Sequence, residues 1–426
     1  MKRPRPFAKN LLFVMFPVLA ITGGFYFWPM ANTIAVEAEG PIHLTPFSFS
    51  PDGKRLATYF LYEPTRTYRG VVFDLESGQK ICDLKTPPPL SPSGKPYRKS
   101  EGDYNPVYPM WSPDGKRIVA GYSDGLTGDV KIPLLSSSGK APQFRANNIA
   151  KIAVWDADSG DIKGNHYYAS IAEDSESSFV GYSKDGKKLL GGGTPKSYFD
   201  ANTGQRLGAF KGEVPLPSQS EVIAPKSLIS EVSSDSKRVE IRDLSKKRTL
   251  LKLESPHILQ TGWRNNIFGI IYLTGDHFSL KLWDSKSEKF LPSPPSQAND
   301  LPSHFKFNPS KPNLVYRNRQ IQDSQTSTEI TRLIVWDYQK HRQLWRFSSA
   351  EKVNATAWSP DGNWLGVMTA DDNGPLNVLL FDQNGILKHQ RKISDYAWGW
   401  SPDSKSMAVA AQHGDKKQIE IIRVSD

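Results

Sequence analysis

Apolar residues in this chain come in short runs set off by polar turns, with the length and alternation of β-strands and without the three-to-four spacing of amphipathic helices. RLATYF at 55–60, RIVAGY at 117–122 and WLGVMT at 364–369 each begin just after a turn of the form Ser-Pro-Asp-Gly. Proline at the second turn position presets φ, aspartate bonds the local backbone and glycine accepts a positive φ. Each tetrapeptide therefore predicts a tight reversal between two strands. One segment breaks the pattern. Leu11 to Met30 (LLFVMFPVLAITGGFYFWPM) is a run of twenty uncharged residues, and a helix of that length crosses a hydrocarbon core of about 30 Å.

The turn recurs. Ser-Pro-Asp-Gly stands at 50–53, 112–115 and 359–362, with the variants SKDG at 183–186 and SPDS at 401–404, preceded by Phe49, Trp111, Trp358, Tyr182 and Trp400. Its repeat-defining carboxylates are Asp52, Asp114, Asp185, Asp361 and Asp403. A second marker is an apolar strand that ends in an aromatic residue and aspartate: Phe73-Asp74, Trp155-Asp156, Phe199-Asp200, Trp283-Asp284, Trp336-Asp337 and Phe381-Asp382. Degraded copies end at Arg242-Asp243 and Ile422-Arg423. From Asp74 onward the successive intervals are 82, 44, 43, 41, 53, 45 and 41 residues. A period in this range marks a repeat architecture. It predicts eight copies of one unit, the second carrying a long insertion.

The combination of SPDG turns and [WF]D strands resembles WD-repeat and WD40-like (PD40, TolB-type) β-propeller blades over about residues 41–426. The resemblance implies an all-β propeller of four-stranded antiparallel blades. In it the aromatic-Ser strand is innermost, the strand after the turn second, the [WF]D strand third, and a segment such as QKICDLK or RQLWRF outermost. Eight blades are expected, with seven as the alternative because units four and five lack the SPDG turn. The eighth unit stops after its third strand, so Thr33 to Ala38 (TIAVEA) is expected to supply the outer strand and close the ring. The expected division is a basic tail and anchor at 1–32 and a propeller at 33–426. Two features depart from relatives: no Gly-His dipeptide precedes a unit, and no α/β domain precedes the propeller, so a TolB orthologue is not expected.

In such propellers the inner-to-second and third-to-outer connections share one face. Here those are uniformly tight, and the insertions fall on the other face: Lys85 to Val107, Ser123 to Ala150, Phe290 to Ser303 and Arg317 to Thr331, with shorter ones at Tyr62 to Arg69 and Ala370 to Asn377. Loops held by a rigid scaffold carry function disproportionately. The expected partner-binding face is therefore represented by Lys95, Tyr97, Arg98, Lys131, Phe144, Arg145, Arg317 and Arg319. His43, His257 and His304 fall at or near the starts of inner strands, with Glu176, Asp300 and Asp395 on the same expected rim. Converging imidazoles and carboxylates there would bind a metal or do acid-base work. Their offsets from the turns differ, however: His43 precedes Ser50 by seven residues and His304 precedes Asn308 by four. Independent rim histidines are the reading adopted.

Composition narrows the functional classes. The 426 residues carry 54 basic and 44 acidic side chains and a net charge of +10. Lys2, Arg3, Arg5 and Lys9 supply four of those charges beside the apolar segment. The basic flank and the aromatic end at Phe25 to Trp28 predict an anchor with its N-terminus in the cytoplasm and the rest outside. Cleavage near Ala35 or Ala38 is the rival reading, giving a secreted chain. Either places the body in a bacterial periplasm or at a cell surface; a cytosolic scaffold is a third hypothesis. One cysteine, Cys82, precludes an intramolecular disulfide and multi-cysteine zinc sites. The insertions mix charges, unlike a phosphate-binding stripe, so nucleic acid is not an expected partner.

Three catalytic resemblances are set aside. GYSDG at 121–125 has the letters of a nucleophile elbow but follows a blade strand with no helix after it. GYSKDGKK at 181–188 has Lys188 where a P-loop needs Ser or Thr, and DADSGD at 156–161 lacks the distal Glu of a calcium loop. No cofactor and no catalytic residue is expected. The leading expectation is a non-enzymatic, membrane-tethered, monomeric propeller that binds a protein or peptide through its loop-rich face. The alternative is an enzyme or small-molecule binder using the axial channel, similar to quinoprotein-like or lactonase propellers.

Overall fold

A computed structural model describes residues 32–35, 42–44, 47–62, 67–86, 105–106, 109–123, 128–130, 144–146, 148–170, 180–183, 185–191, 197–203, 206–209, 227–233, 235–275, 277–294, 300–323, 328–370, 376–413 and 416–424. The expected anchor, Leu11 to Met30, lies outside them. All regular structure among the described residues is strand, and no helix there is long and apolar enough to cross a membrane.

These residues form nine antiparallel sheets: seven of four or five strands, one of three, and a two-stranded ribbon. Apart from the ribbon, each sheet is built from strands close together in sequence. Lys352–Trp358, Trp364–Ala370, Leu376–Asp382 and Leu387–Ile393, for example, are neighbours in chain order. The last sheet is the exception. Its strands Trp398–Trp400, Ser406–His413 and Lys416–Arg423 are completed by Asn32–Ala35, with Ile34 opposite Ile419 and Ala35 opposite Gln418.

The core lies between sheets. In Leu376–Asp382, Val378 and Leu380 face Met407 and Val409 of the following sheet, while Leu379 and Phe381 face Leu333 and Trp345 of the preceding one. Successive side chains of a strand point to opposite faces, so a strand covered on both sides reads as a continuous apolar run. That is the sequence signature seen here. A further layer joins Ile34, Ala408 and Ile419 of the last sheet to Leu56, Val71 and Phe73 of the first.

One end of the sheets is closed by capped turns. At Ser50–Gly53, the Ser50 hydroxyl donates to Asp52 at 2.5 Å, accepts from the Arg55 amide at 2.9 Å, and Gly53 takes φ of 71°. The same bonds recur at Ser112, Ser183, Ser359 and Ser401 with Asp114, Asp185, Asp361 and Asp403. Consecutive turns lock together. The Arg55 guanidinium donates to the Gly115 carbonyl, Asn308 to the Gly362 carbonyl at 2.8 Å, and the Asp361 amide to the Ser404 hydroxyl at 2.9 Å. The third-strand aspartates cap turns at this same end: Asp74 accepts from Ser77, Asp156 from Ser159, Asp200 from Thr203, Asp284 from Lys286, Asp337 from Lys340 and Asp382 from Asn384.

The turn chemistry departs from the motif in two units, and one expectation is corrected. Ser233-Ser234-Asp235-Ser236 repeats the turn chemistry in the fourth unit, Ser233 donating to Asp235 and Ser236 taking φ of 54°. It stands at the opposite end, between the second and third strands. The Leu244 amide bonds the Ser227 carbonyl just as Leu75 bonds Lys54 and Ala157 bonds Lys116, which makes Leu228–Val232 the second strand. In the fifth unit the first turn is Asn265-Asn266, with Asn265 at φ 53°. The correction concerns Arg317 to Thr331, expected as a loop. Asn313–Asp323 and Thr328–Asp337 are paired strands almost to their tips, with Arg317 opposite Leu333 and Arg319 opposite Thr331. A hairpin end whose side chains are mostly polar carries no apolar signal, yet the ladder still satisfies its backbone. Tyr62 and Arg69, at the edges of another expected insertion, likewise sit in paired strands.

Candidate functional site

The inner strands of the fifth, sixth and seventh sheets share an irregularity. Opposite the second strand, Leu259, Ser303 and Asn354 are each an extra residue in the ladder, lying between Ile258 and Gln260, Pro302 and His304, and Val353 and Ala355. All three sit at equivalent positions, four residues before Trp263, Phe307 and Trp358. A bulge leaves one residue unpaired and re-aims its neighbours.

Each bulge has a consequence. Leu259 is turned outward and is 43% exposed. The Ser303 hydroxyl accepts a hydrogen bond from Arg317 Nε at 2.9 Å, and Arg317 Nη1 reaches across to the Val353 carbonyl of the next sheet at 2.5 Å. Gln260 bridges in the same direction, exchanging two bonds of 2.9 Å with the Phe305 backbone. The Trp111, Trp358 and Trp400 indoles tie inner strands together by donating to the Ser48, Lys306 and Ala357 carbonyls of the preceding sheets. These tryptophans therefore act as struts.

Between the sixth and seventh sheets these features enclose a cavity of about 140 Å³. His304 and Lys306 reach it from the inner strand, Arg317 from the second strand, and Asn354 and Thr356 from the next inner strand, above Val315, Leu333 and Val353; Tyr316 borders it too, but its ring packs on the opposite face of the sheet with Phe305 and Phe307. His304 and Arg317 stand directly opposite each other in the ladder. Burial first, then the charges of Lys306 and Arg317, push the His304 imidazole down to about 4, so it is neutral at pH 7. None of the described lining residues is a carboxylate.

The cavity thus joins two residues that sequence reasoning had put in separate groups. The remaining candidates scatter. His257 is exposed and packs edge-on to Phe278 at 6.1 Å. His43 lies in Ile42–Leu44 opposite Leu61; its side chain is outside the described residues. Asp395 is buried in an ion pair with Lys417 at 2.7 Å and accepts from the Leu44 amide. Among the described residues no three His, Cys, Asp or Glu side chains converge as a metal site would require. Phe144 and Arg145 lie in a short strand paired with Gly128–Val130, and Arg319 is exposed. Lys95, Tyr97, Arg98, Lys131 and Glu176 lie outside the described residues. Lys306, Asn354 and Thr356 were missed. Lys306, two residues from His304 on one strand, shares its face, a signal the sequence did contain.

No protein-family model matches the chain, and no curated protein sequence matches it. Solved structures do resemble it. The C-terminal WD40 domain of Sif2 aligns with TM-score 0.52 at 12% identity, covering 94% of this chain and 100% of that one. A eukaryotic initiation factor structure aligns at TM-score 0.48 and 12% identity, covering 92% and 88%. The β-propeller domain of Myceliophteria thermophila Cps50 (Swd1) aligns at 0.44 and 12%, covering 93% and 100%. At this identity the likeness to the Sif2 domain is one of fold: the described chain is a WD40-like β-propeller.

Proposed function

We propose that this protein is an eight-bladed, membrane-tethered propeller that serves as a protein-interaction scaffold outside the cytoplasm, binding a partner on the face opposite the capped turns. The contrast between its two ends carries this reading. At the turn end the hydroxyls and carboxylates satisfy one another and consecutive turns lock together. Apolar side chains face solvent at both ends, Leu244 and Ile386 at 52% beside the turns and Tyr396 at 61%, Leu259 at 43% and Val232 at 42% at the other, so what sets the other end apart is the chain displayed there. The Asn313–Asp323 and Thr328–Asp337 hairpin extends there. Exposed apolar groups displayed by a rigid frame suit partner binding. Leu11 to Met30 would supply the tether, and Asn32–Ala35 the closing strand beside it.

The test is photocrosslinking in intact membranes from Tyr396 and Leu259, with Glu76 at the turn end as control. The same partner identified from both positions and absent from Glu76 supports the scaffold. Equal capture from Glu76, or none from either site, refutes it. A reporter fused at Asp426 and active only outside the cytoplasm would support the orientation; activity inside would overturn it.

A further inference from the structure

We propose that the cavity between the sixth and seventh sheets is a carboxylate site that receives an acidic side chain of a protein or peptide partner; it rests on the binding-face reading above.

Charge comes first. Lys306 and Arg317 are the ionised residues among the described residues lining the cavity, and none of these is acidic. Arg317 is held in place by Ser303 and by the Val353 carbonyl, so its orientation is set before any ligand arrives. A pre-oriented guanidinium loses little freedom on meeting a carboxylate, and charge-assisted bonds are the strong ones. His304, beside them, is kept neutral, first by burial and then by their charges.

Shape and polarity then choose among anions. Asn354 and Thr356 add neutral polar groups, while Val315, Leu333 and Val353 supply an apolar wall. A phosphate is polar on every side and gains nothing from that wall. A glutamate or aspartate side chain has an aliphatic stem for the wall and a charged end for Lys306 and Arg317. At about 140 Å³ the cavity has room for such a group, since one water needs only about 10–15 Å³ on the same measure. The bulges at Ser303 and Asn354 shape the site, and neither is required for the sheets to pair.

The full-length chain labelled with ¹³C-histidine is titrated with acetyl-glutamyl amide, acetyl-glutaminyl amide, sodium acetate and inorganic phosphate, following the His304 resonance, which a His304→Gln variant assigns. Acetate and the glutamyl compound should shift that resonance and raise its titration midpoint, and the glutaminyl compound should not. Lys306→Gln should weaken glutamyl binding by about tenfold or more, since a bond to a charged group contributes that much, and Lys306→Arg should retain it at an unchanged unfolding midpoint. Equal responses to the glutamyl and glutaminyl compounds, a response to phosphate alone, or full binding by a folded Lys306→Gln would overturn the site. Glutamyl binding with no partner captured from Tyr396 or Leu259 would uphold the carboxylate site and overturn the partner as its source, leaving a free small acid in that role.

Discussion

Replacing Ile34 with alanine tests whether the strand from the N-terminal side holds the last sheet shut. Ile34 is 1% exposed and packs in one cluster with Leu56, Phe73, Ala408 and Ile419, across the seam between the last and first sheets. The substitution removes three carbons from that cluster. At about 0.8 kcal/mol per buried methylene the transfer loss is roughly 2.4 kcal/mol. An unfilled cavity adds to it, within the range of about 2–5 kcal/mol for isoleucine-to-alanine changes in cores. About 3 kcal/mol is roughly two decades in an opening equilibrium. Asn32–Ala35 pairs with Gln418–Ile421, so hydrogen exchange at the amides of that segment that point toward Asn32–Ala35, every second one, is the direct assay. Exchange there should accelerate by about a hundredfold, with the urea midpoint lowered. A Leu387→Ala control, at an outer-strand residue that is largely exposed, should leave the Gln418–Ile421 amides unchanged. Unaltered exchange in Ile34→Ala would refute the view that this short strand bears on closure. Closure would then be indifferent to cleavage after Ala38, which removes Asn32–Ala35 from the chain.

Gly362→Ala should destabilise well beyond Gly275→Ala. Both glycines have positive φ, worth about 1–2 kcal/mol against alanine, but a Cβ at Gly362 would stand 1.9 Å from Asn308 Oδ1 while nothing lies within 4 Å at Gly275. Equal losses in paired denaturation curves would sink the idea that turns of neighbouring sheets interlock. His304 predicts an acid-sensitive fold. Its imidazole binds a proton near 6.5 when unfolded and near about 4 when folded, so stability is full above 6.5 and declines as pH falls toward 4. The whole effect is about 3 kcal/mol, and denaturation of His304→Gln should show a flatter dependence in that window; an identical slope would count against it. The turn carboxylates act lower still. Hydrogen bonds from Ser50 to Asp52 and from Ser183 to Asp185 hold both below the usual carboxylate value of 3.8, so their contribution is present above that value and lost as pH falls below it. Serine-to-alanine changes at both turns should raise the pH of acid unfolding. Cys82 should react slowly with thiol reagents at pH 8, because burial and then Asp83, Asp156 and Asp158 push the thiol up to about 11. Fast labelling of the folded chain would contradict that placement.

Much of the architecture was legible because its causes are local. A serine, an aspartate two residues on and a residue that takes positive φ make the same turn wherever they occur, even at Ser233, where the turn joins different strands. That exception shows the limit of reading local chemistry: a turn motif specifies a reversal and leaves open which two strands it joins. Arg317 shows another limit. Its polar surroundings read as a loop, but backbone pairing is indifferent to side-chain polarity. The tryptophans before the turns were legible as packing residues, and the indole bonds to the preceding sheet were not, since each acceptor lies 43 to 63 residues away.

By itself the sequence determined the repeat, the turn chemistry and the burial of strands on both faces, because each is written within a few consecutive residues and enforced by backbone sterics and hydrophobic patterning. Tertiary structure decided which candidates meet. The bulges at Leu259, Ser303 and Asn354 arise from the register each inner strand takes against its neighbour, and a register is a property of two strands together. His304, Arg317 and Asn354 line one cavity because one sheet packs on the next. No interval along the chain encodes that proximity, since it depends on distances set by the closed packing of whole sheets.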